Sequence, residues 1–503
     1  MSESKSALAI NQTISYGFDS NLVSTGPSGR SHLTLATSIR EARYPYFFEG
    51  RVKEARSVAR ALLTLSQVVG ARFYTPPNML KRIMAERDPV ITSGAGALRF
   101  EGFSACASAY ARVDLLPGAF DGDVVERGTT NVDFNAALKA ALASTMSTDA
   151  LDVSVGKEEF ALAKGGAPVI EKKVRLPLRW LKGFVEVQAY QARMEKKLTV
   201  GKSEALSFLR GLPQNAHNQS LFYVVPSGRG LRLSQVAAGG GSSAPVQVGG
   251  LKRLQLLREL VPLIANSQKA AMTVYASPDG QASEWKLYLD QGLVFSLSMT
   301  AQPFRGFSGE GQVLADLTEV QEEKLAGLRA ALKWQQNLSL HDLSGATDTS
   351  ADELKTALAV LGSRGLVGYD LDFGTYFHRE LPFDLSLVEN MHPRLKAAQK
   401  LLAEGGVRLL DAEADADGDT KGDAAEDRLR LEVKGSDVMH VVTLSPLDSS
   451  SRCTCQWFSK YQGARGVCKH ILAARLKLAV DEGDGGEEES DEDGAENLEG
   501  AAS

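Results

Sequence analysis

Three cysteines and a histidine near the C-terminal end have the types and spacing of a metal site. They read Cys453-Thr-Cys455, twelve further residues, then Cys468-Lys-His470. Thiolate and imidazole are ligands that zinc takes in a tetrahedron, at about 2.3 Å for sulfur and about 2.0 Å for nitrogen. A Cys-x-Cys pair at a strand end places both thiolates on one side, because strand side chains repeat every two residues. A Cys-x-His pair at a helix start supplies the other two ligands. Four protein ligands close the site and leave no position for a catalytic water, so the expected metal is one structural zinc. The fourth cysteine, Cys106 in Phe103-Ser-Ala-Cys-Ala-Ser, has no basic neighbour in sequence and reads as a small core residue. Four thiols in 503 residues are no disulfide framework. His440 could approach the metal, whereas His32, His217, His341, His378 and His392 form no pair at ligand spacing.

The elements that must position these ligands are also legible. Arg430–Val433 and Val438–Leu444 read as strands around the turn Lys434-Gly-Ser-Asp437. After His470, Leu472, Leu476 and Ala479 share one helical face. A hairpin, Cys-x-Cys, twelve residues, Cys-x-His and then a helix together resemble the SWIM zinc finger, and Cys468-Lys-His-Ile-Leu-Ala-Ala474 is similar to that family's closing segment. The resemblance covers residues 428–480 and implies a ββα module that binds nucleic acid or protein rather than one that catalyses. More loosely, the layout resembles bacterial stand-alone SWIM proteins. That likeness implies partners of two kinds: a MoxR-like AAA ATPase and a von Willebrand A-domain protein.

Charge points the same way. The formal net charge of -6 conceals two acidic segments. Residues 481–503 hold eleven acids and no base, and residues 411–427 hold eight acids and one lysine. The remaining body carries +12, of which residues 428–480 supply +6. Both acidic segments are too poor in apolar residues to offset the entropy of ordering, so they read as a linker and a disordered tail. The tail serves solubility or covers a basic surface. Arg452, Lys460, Arg465 and Lys469 lie in or beside the ligand segments and are the candidate contacts for nucleic acid or a partner. Trp457, Phe458 and Tyr461 interleave with them. Such aromatics can stack on unpaired bases. In a module this small, Trp457 and Phe458 are expected to build the core under the metal instead.

The rest of the chain reads as an α+β multidomain protein. Residues 1–215 form a mixed α/β region with a helix over Arg51–Val69, a strand from Leu151, and a short buried helix face of Trp180, Phe184 and Val187. A second helix is expected to start near Ser203, which reads as its cap. Residues 216–317 are β-rich, with a helix over Leu251–Ile264 followed by a three-strand meander. Residues 318–385 resemble a winged helix-turn-helix: two capping boxes, Thr318-x-x-Gln321 and Ser350-x-x-Glu353, open helices. Gly362 and Gly365 are expected to end the last of them, before two strands. The net charge of -4 over residues 318–381 argues against groove reading of DNA there. Residues 386–427 are a helix plus the acidic linker, residues 428–480 the finger, and residues 481–503 the tail.

Other motifs fail on chemistry. Gly201-Lys-Ser203 resembles the end of a phosphate loop, but Lys196 stands where the first glycine must be. Asp415-x-Asp417-x-Asp419 imitates a calcium loop, but Thr420 replaces its turn glycine. Asp372-Phe-Gly374 has no catalytic-loop partner. No run of about 18 apolar residues suggests a membrane span, and the first residues do not read as a signal peptide, so a cytoplasmic location is expected. The resulting expectation is a zinc-binding, non-enzymatic adaptor acting through its finger. The alternative is an enzyme with its active site in residues 1–317, targeted by the finger.

Overall fold

The structure, a computed structural model, describes residues 21–25, 30–34, 46–73, 89–94, 96–124, 127–157, 159–166, 168–174, 176, 178–215, 221–228, 230–237, 245–302, 304–307, 322–332, 338–347, 349–381, 393–410, 429–436, 438–444, 451–463 and 466–484. The expected capping box at Thr318, the acidic segment 411–427 and nearly all of the tail lie outside them.

The centre is an antiparallel sheet of eight strands. Their order is Glu195–Gly201, Ala271–Ala276, Ala282–Tyr288, Leu293–Thr300, Ala109–Leu115, Leu98–Phe103, Val90–Ser93 and Gly128–Asn131. The expected meander of residues 271–300 is present, and Leu293–Thr300 pairs directly with Ala109–Leu115, Leu297 opposite Ala111. One sheet therefore crosses residue 215, and the two stretches expected on either side of it share one hydrophobic core. A five-stranded sheet, ordered Val169–Lys172, Glu159–Ala163, Leu151–Gly156, Tyr46–Val52 and Phe120–Val124, contributes to the same core. Phe48 of this sheet meets Phe120 edge to face at 4.9 Å.

Side-chain alternation gives the central sheet two unlike faces. Leu98, Phe100, Ala111, Val113, Phe295 and Leu297 make an apolar face, against which the helix Ala55–Gly70 packs its buried Val58, Leu62, Leu65 and Val69. That helix begins four residues later than expected. Arg51 and Val52 finish a strand instead, where Arg51 grips Asp152 with two hydrogen bonds of 2.7 and 3.0 Å. The expected helix over Leu251–Ile264 is divided into Leu251–Leu254, a 3-10 turn Gln255–Leu260 and Val261–Asn266. The helix expected near Ser203 runs from Lys202 to Arg210 with Gly201 at its cap position, so Ser203 does not cap it.

The opposite face carries Arg99, Glu101, Tyr110, Arg112, Asp114, Glu284 and Lys286, all buried. Two elements cover it. The first is the helix Leu178–Gln191, whose Trp180 and Phe184 meet Phe103 edge to face and whose Gln191 donates to Glu284 at 2.7 Å. The second is a hairpin, Val367–Asp370 with Thr375–His378, which follows the helices Glu322–Ala331, Leu340–Thr347 and Ala351–Ser363. Three helices then a hairpin is the order expected for residues 318–385. Ser350 and Glu353 close the expected reciprocal cap. Gly362 lies inside its helix rather than ending it. A Cβ there would come within 2.1 Å of the Gln188 amide, so glycine lets this helix approach Leu178–Gln191. Gly365 sits just beyond, in the left-handed region at φ +72°.

The hairpin is bound to the sheet by buried charge. Asp370 accepts from Arg99 at 2.9 Å and lies 3.7 Å from Arg112 and 3.9 Å from Lys286. Lys286 reaches Asp372 at 2.6 Å, while Arg379 donates twice to Glu101 at 2.7 and 2.8 Å. Burial by itself would raise the Asp370 pKa, yet Arg112, Lys286 and Arg99 hold it well below the usual carboxylate range. Glu101 is lowered in the same way, with Arg379 and the Tyr110 hydroxyl outweighing burial.

Asp370→Ala removes the carboxylate that Arg99, Arg112 and Lys286 share, leaving Asp114 and Asp372 as their remaining acids, and should cost ~3–5 kcal/mol in urea unfolding at neutral pH. Because the folded-state pKa is depressed, this stabilisation is present above the unfolded value of about 3.9 and fades as pH falls through the lower folded value. The gap between wild type and variant should therefore narrow below about pH 4, which unfolding curves at stepped pH will read.

Candidate metal centre

The C-terminal unit has its own core and a four-stranded antiparallel sheet, ordered Val407–Leu410, Leu429–Lys434, Met439–Leu444 and Arg452–Cys453. Two elements precede the ββα core expected from residue 428. The helix Pro393–Ala403 packs on the helix Lys469–Asp484, and Val407–Leu410 adds a strand beside Leu429–Lys434, Leu410 facing Arg430. The acidic segment 411–427 thus joins two neighbouring strands of one sheet rather than two separate units.

Each ligand is placed by a local device. Cys453 ends a short strand held by Val442, and the tie is doubled where Val441 N–H donates to Thr454 Oγ1 and Thr454 N–H to the Val441 carbonyl, both at 3.1 Å. Cys455 caps the short helix Gln456–Tyr461, its sulfur accepting from the Phe458 amide at 3.3 Å. The Cys455 amide in turn donates to Cys453 Sγ at 3.4 Å. The chain leaves that helix through Gln462 and Gly463, both left-handed at φ +43° and +81°. Cys468 immediately precedes the last helix, and His470 sits in its first turn.

These devices bring one ligand atom from each of Cys453, Cys455, Cys468 and His470 within 4.8 Å of one another, and all four residues are buried. His470 turns Nδ1 toward the sulfurs, 3.8 Å from Cys453 and 4.0 Å from Cys468. Three thiols this close cannot all ionise without a cation. The Cys453 proton bonded to Cys468 pushes the Cys453 pKa far up, whereas the same bond, with help from His470, draws Cys468 down to about 4. Burial raises Cys455 as well. A divalent cation removes that conflict, so the donor set fits a single closed metal site. No other cluster of metal-ligand type occurs among the described residues.

The surroundings tie the site to the added helix. Arg394 lies 4.7 Å above the Trp457 ring and donates to the Val467 carbonyl at 2.8 Å. Trp457 and Phe458 are half-buried against the core, as expected for residues supporting the metal. His440 packs its ring 4.5 Å from that of His470 without joining the ligand set. Of the basic candidates, Arg452 and Lys460 are exposed, Lys469 is half-buried, and Arg465 lies outside the described residues. Lys460 stands 5.3 Å from the Tyr461 ring. Cys106 is half-buried and is no member of the ligand cluster. Its sulfur lies 3.1 Å from Ser108 Oγ and accepts from the Phe73 amide at 3.4 Å, a polar setting rather than the apolar one expected.

No known protein family matches the chain, and neither does any curated protein. Among solved structures, the proliferating cell nuclear antigen of Entamoeba histolytica shares 10% identity over 51% of this chain and 98% of its own, with a TM-score of 0.34. The A. fulgidus antigen bound to the C-terminal region of FEN-1 shares 12% over 50% and 97%, at 0.33. The PCNA2–PCNA3 complex of Sulfolobus tokodaii shares 10% over 50% and 98%, at 0.36. Likeness this loose assigns neither fold nor function. No helix among the described residues is long and apolar enough to cross a membrane.

Purified protein should contain about one metal ion per chain by elemental analysis. Cys468→Ser should abolish that metal and unlock hydrogen exchange across residues 429–484, because metal binding and folding of such units are coupled. Exchange in the strands of residues 271–300 should stay as in wild type.

Proposed function

We propose that the C-terminal unit is a SWIM-type zinc module and that the protein is a non-enzymatic adaptor binding nucleic acid through it. The buried, closed three-cysteine, one-histidine cluster carries this reading. Softness of three thiolates favours zinc over magnesium or calcium, and four protein ligands leave the metal no place for a reacting water. The ion would hold Arg452–Cys453 and the helix Gln456–Tyr461 in fixed relation, and the exposed Arg452 and Lys460 would then face phosphates. A MoxR-like AAA ATPase and a von Willebrand A-domain protein remain partners implied by family resemblance alone.

The test is fluorescence anisotropy of labelled DNA and RNA oligonucleotides with the zinc-loaded full chain. Binding that weakens steeply with salt and disappears in Cys468→Ser supports the reading. Absence of binding at about 50 mM salt, with zinc present, transfers the adaptor role to protein partners. Truncation before Asp481 removes eleven acids and should tighten nucleic-acid binding at low salt several-fold if the tail competes for the basic surface. Unchanged affinity would make the tail a solubility device.

A further inference from the structure

We propose that a cationic cleft between the zinc unit and the remainder of the chain is the seat of a single-stranded nucleic acid, a deeper statement of the function just proposed and resting on it. The cleft has a volume of about 1280 Å³. Sites for small molecules span roughly 300–1,000 Å³, so this one has room for a segment of polymer rather than one metabolite. Its walls come from four places: the end of the helix Leu178–Gln191 with the residues after it, the turn at Asp279, the three-helix-and-hairpin unit, and the zinc unit at Arg452–Cys453 and Phe458.

Among the described residues, four cations line it. Arg193 and Lys355 stand on the body side and Arg452 and Arg475 on the zinc side. They come from sequence positions up to 282 residues apart, so only folding assembles them. Asp279 is the one acid among the described lining residues, and its carboxylate is engaged locally by the Ser277 hydroxyl at 2.5 Å and the Gln281 amide at 3.0 Å. Cations on two facing walls suit a chain that carries a negative charge at every repeat. Tyr369, half-buried on the body side, offers aromatic surface to bases, and Phe458, which packs one side on the core of the zinc unit, borders the cleft opposite. Bases can use such surfaces only when unpaired, which selects a single strand over a duplex. The cleft is bordered by Cys453 itself, so the metal that fixes this strand also fixes one wall.

The experiment is anisotropy with fluorescein-labelled dT20 and rU20 and a 20-base-pair duplex, using zinc-loaded full chain at low salt. Arg193→Glu with Lys355→Glu, both on the body side, should weaken single-strand binding at least tenfold and flatten its salt dependence. Lys157→Glu with Lys172→Glu, which alter charge equally at exposed positions outside the cleft, should leave affinity within twofold of wild type. Single strands should bind at least tenfold more tightly than the duplex. Wild-type affinity in the body-side variant, while Cys468→Ser still abolishes binding, overturns the cleft and leaves the zinc-unit reading standing. Preference for the duplex, or equal losses in both charge variants, also overturns the cleft. No binding of any oligonucleotide by wild type overturns the cleft and the nucleic-acid reading together.

Discussion

Burying a charged sheet face without stranding any charge is the constraint on which the larger part of this structure depends. Arg99 and Arg112 lie on neighbouring central strands and Lys286 on the strand beyond Leu293–Thr300, with Asp114 beside the first two. None of them can be covered by apolar side chains at acceptable cost. The hairpin solves this by bringing Asp370 into their midst and Arg379 onto Glu101. Residues 367–379 are therefore part of the central unit's electrostatics as much as of their own three-helix unit. A buried ion network is a poor source of net stability, but it punishes misplacement severely. It fixes where the three-helix unit sits against the sheet.

That placement has a consequence at the other end of the unit. Once Gly362 admits Gln188 and the hairpin is held by its charges, Lys355 and Tyr369 are carried to the side of Arg193. The C-terminal unit supplies the other wall. Two unrelated devices, a buried salt network and a cluster of four metal-ligand residues, thus stand behind the two sides of one cleft. Each side contributes its own cations, Arg193 and Lys355 on one and Arg452 and Arg475 on the other.

The metal site was legible in the sequence because its chemistry is local. Cys453, Cys455, Cys468 and His470 span eighteen residues, and their spacing already encodes a strand end, a helix cap and a helix start. The meander of residues 271–300 and the reciprocal cap at Ser350 were legible for the same reason: alternation and capping are short-range rules. Arg394 was invisible as a support of the site, since its contact with Trp457 spans 63 positions. So was the strand Val407–Leu410, separated from its partner by an acidic stretch that reads as a linker.

The sequence by itself determined the candidate ligand set, the meander of residues 271–300, the helix–hairpin order of residues 322–378, and the concentration of positive charge near the C-terminal end. Each of these follows from residue types within about one or two element lengths. Only the tertiary structure decided that residues 90–131 and 195–300 make one sheet, that its charged face is sealed by a hairpin from residues 367–378, and that Arg193 and Lys355 face Arg452. The reason is physical. A charged residue on a strand looks solvent-exposed in sequence, and it becomes a buried partner only when a distant segment arrives with the opposite charge.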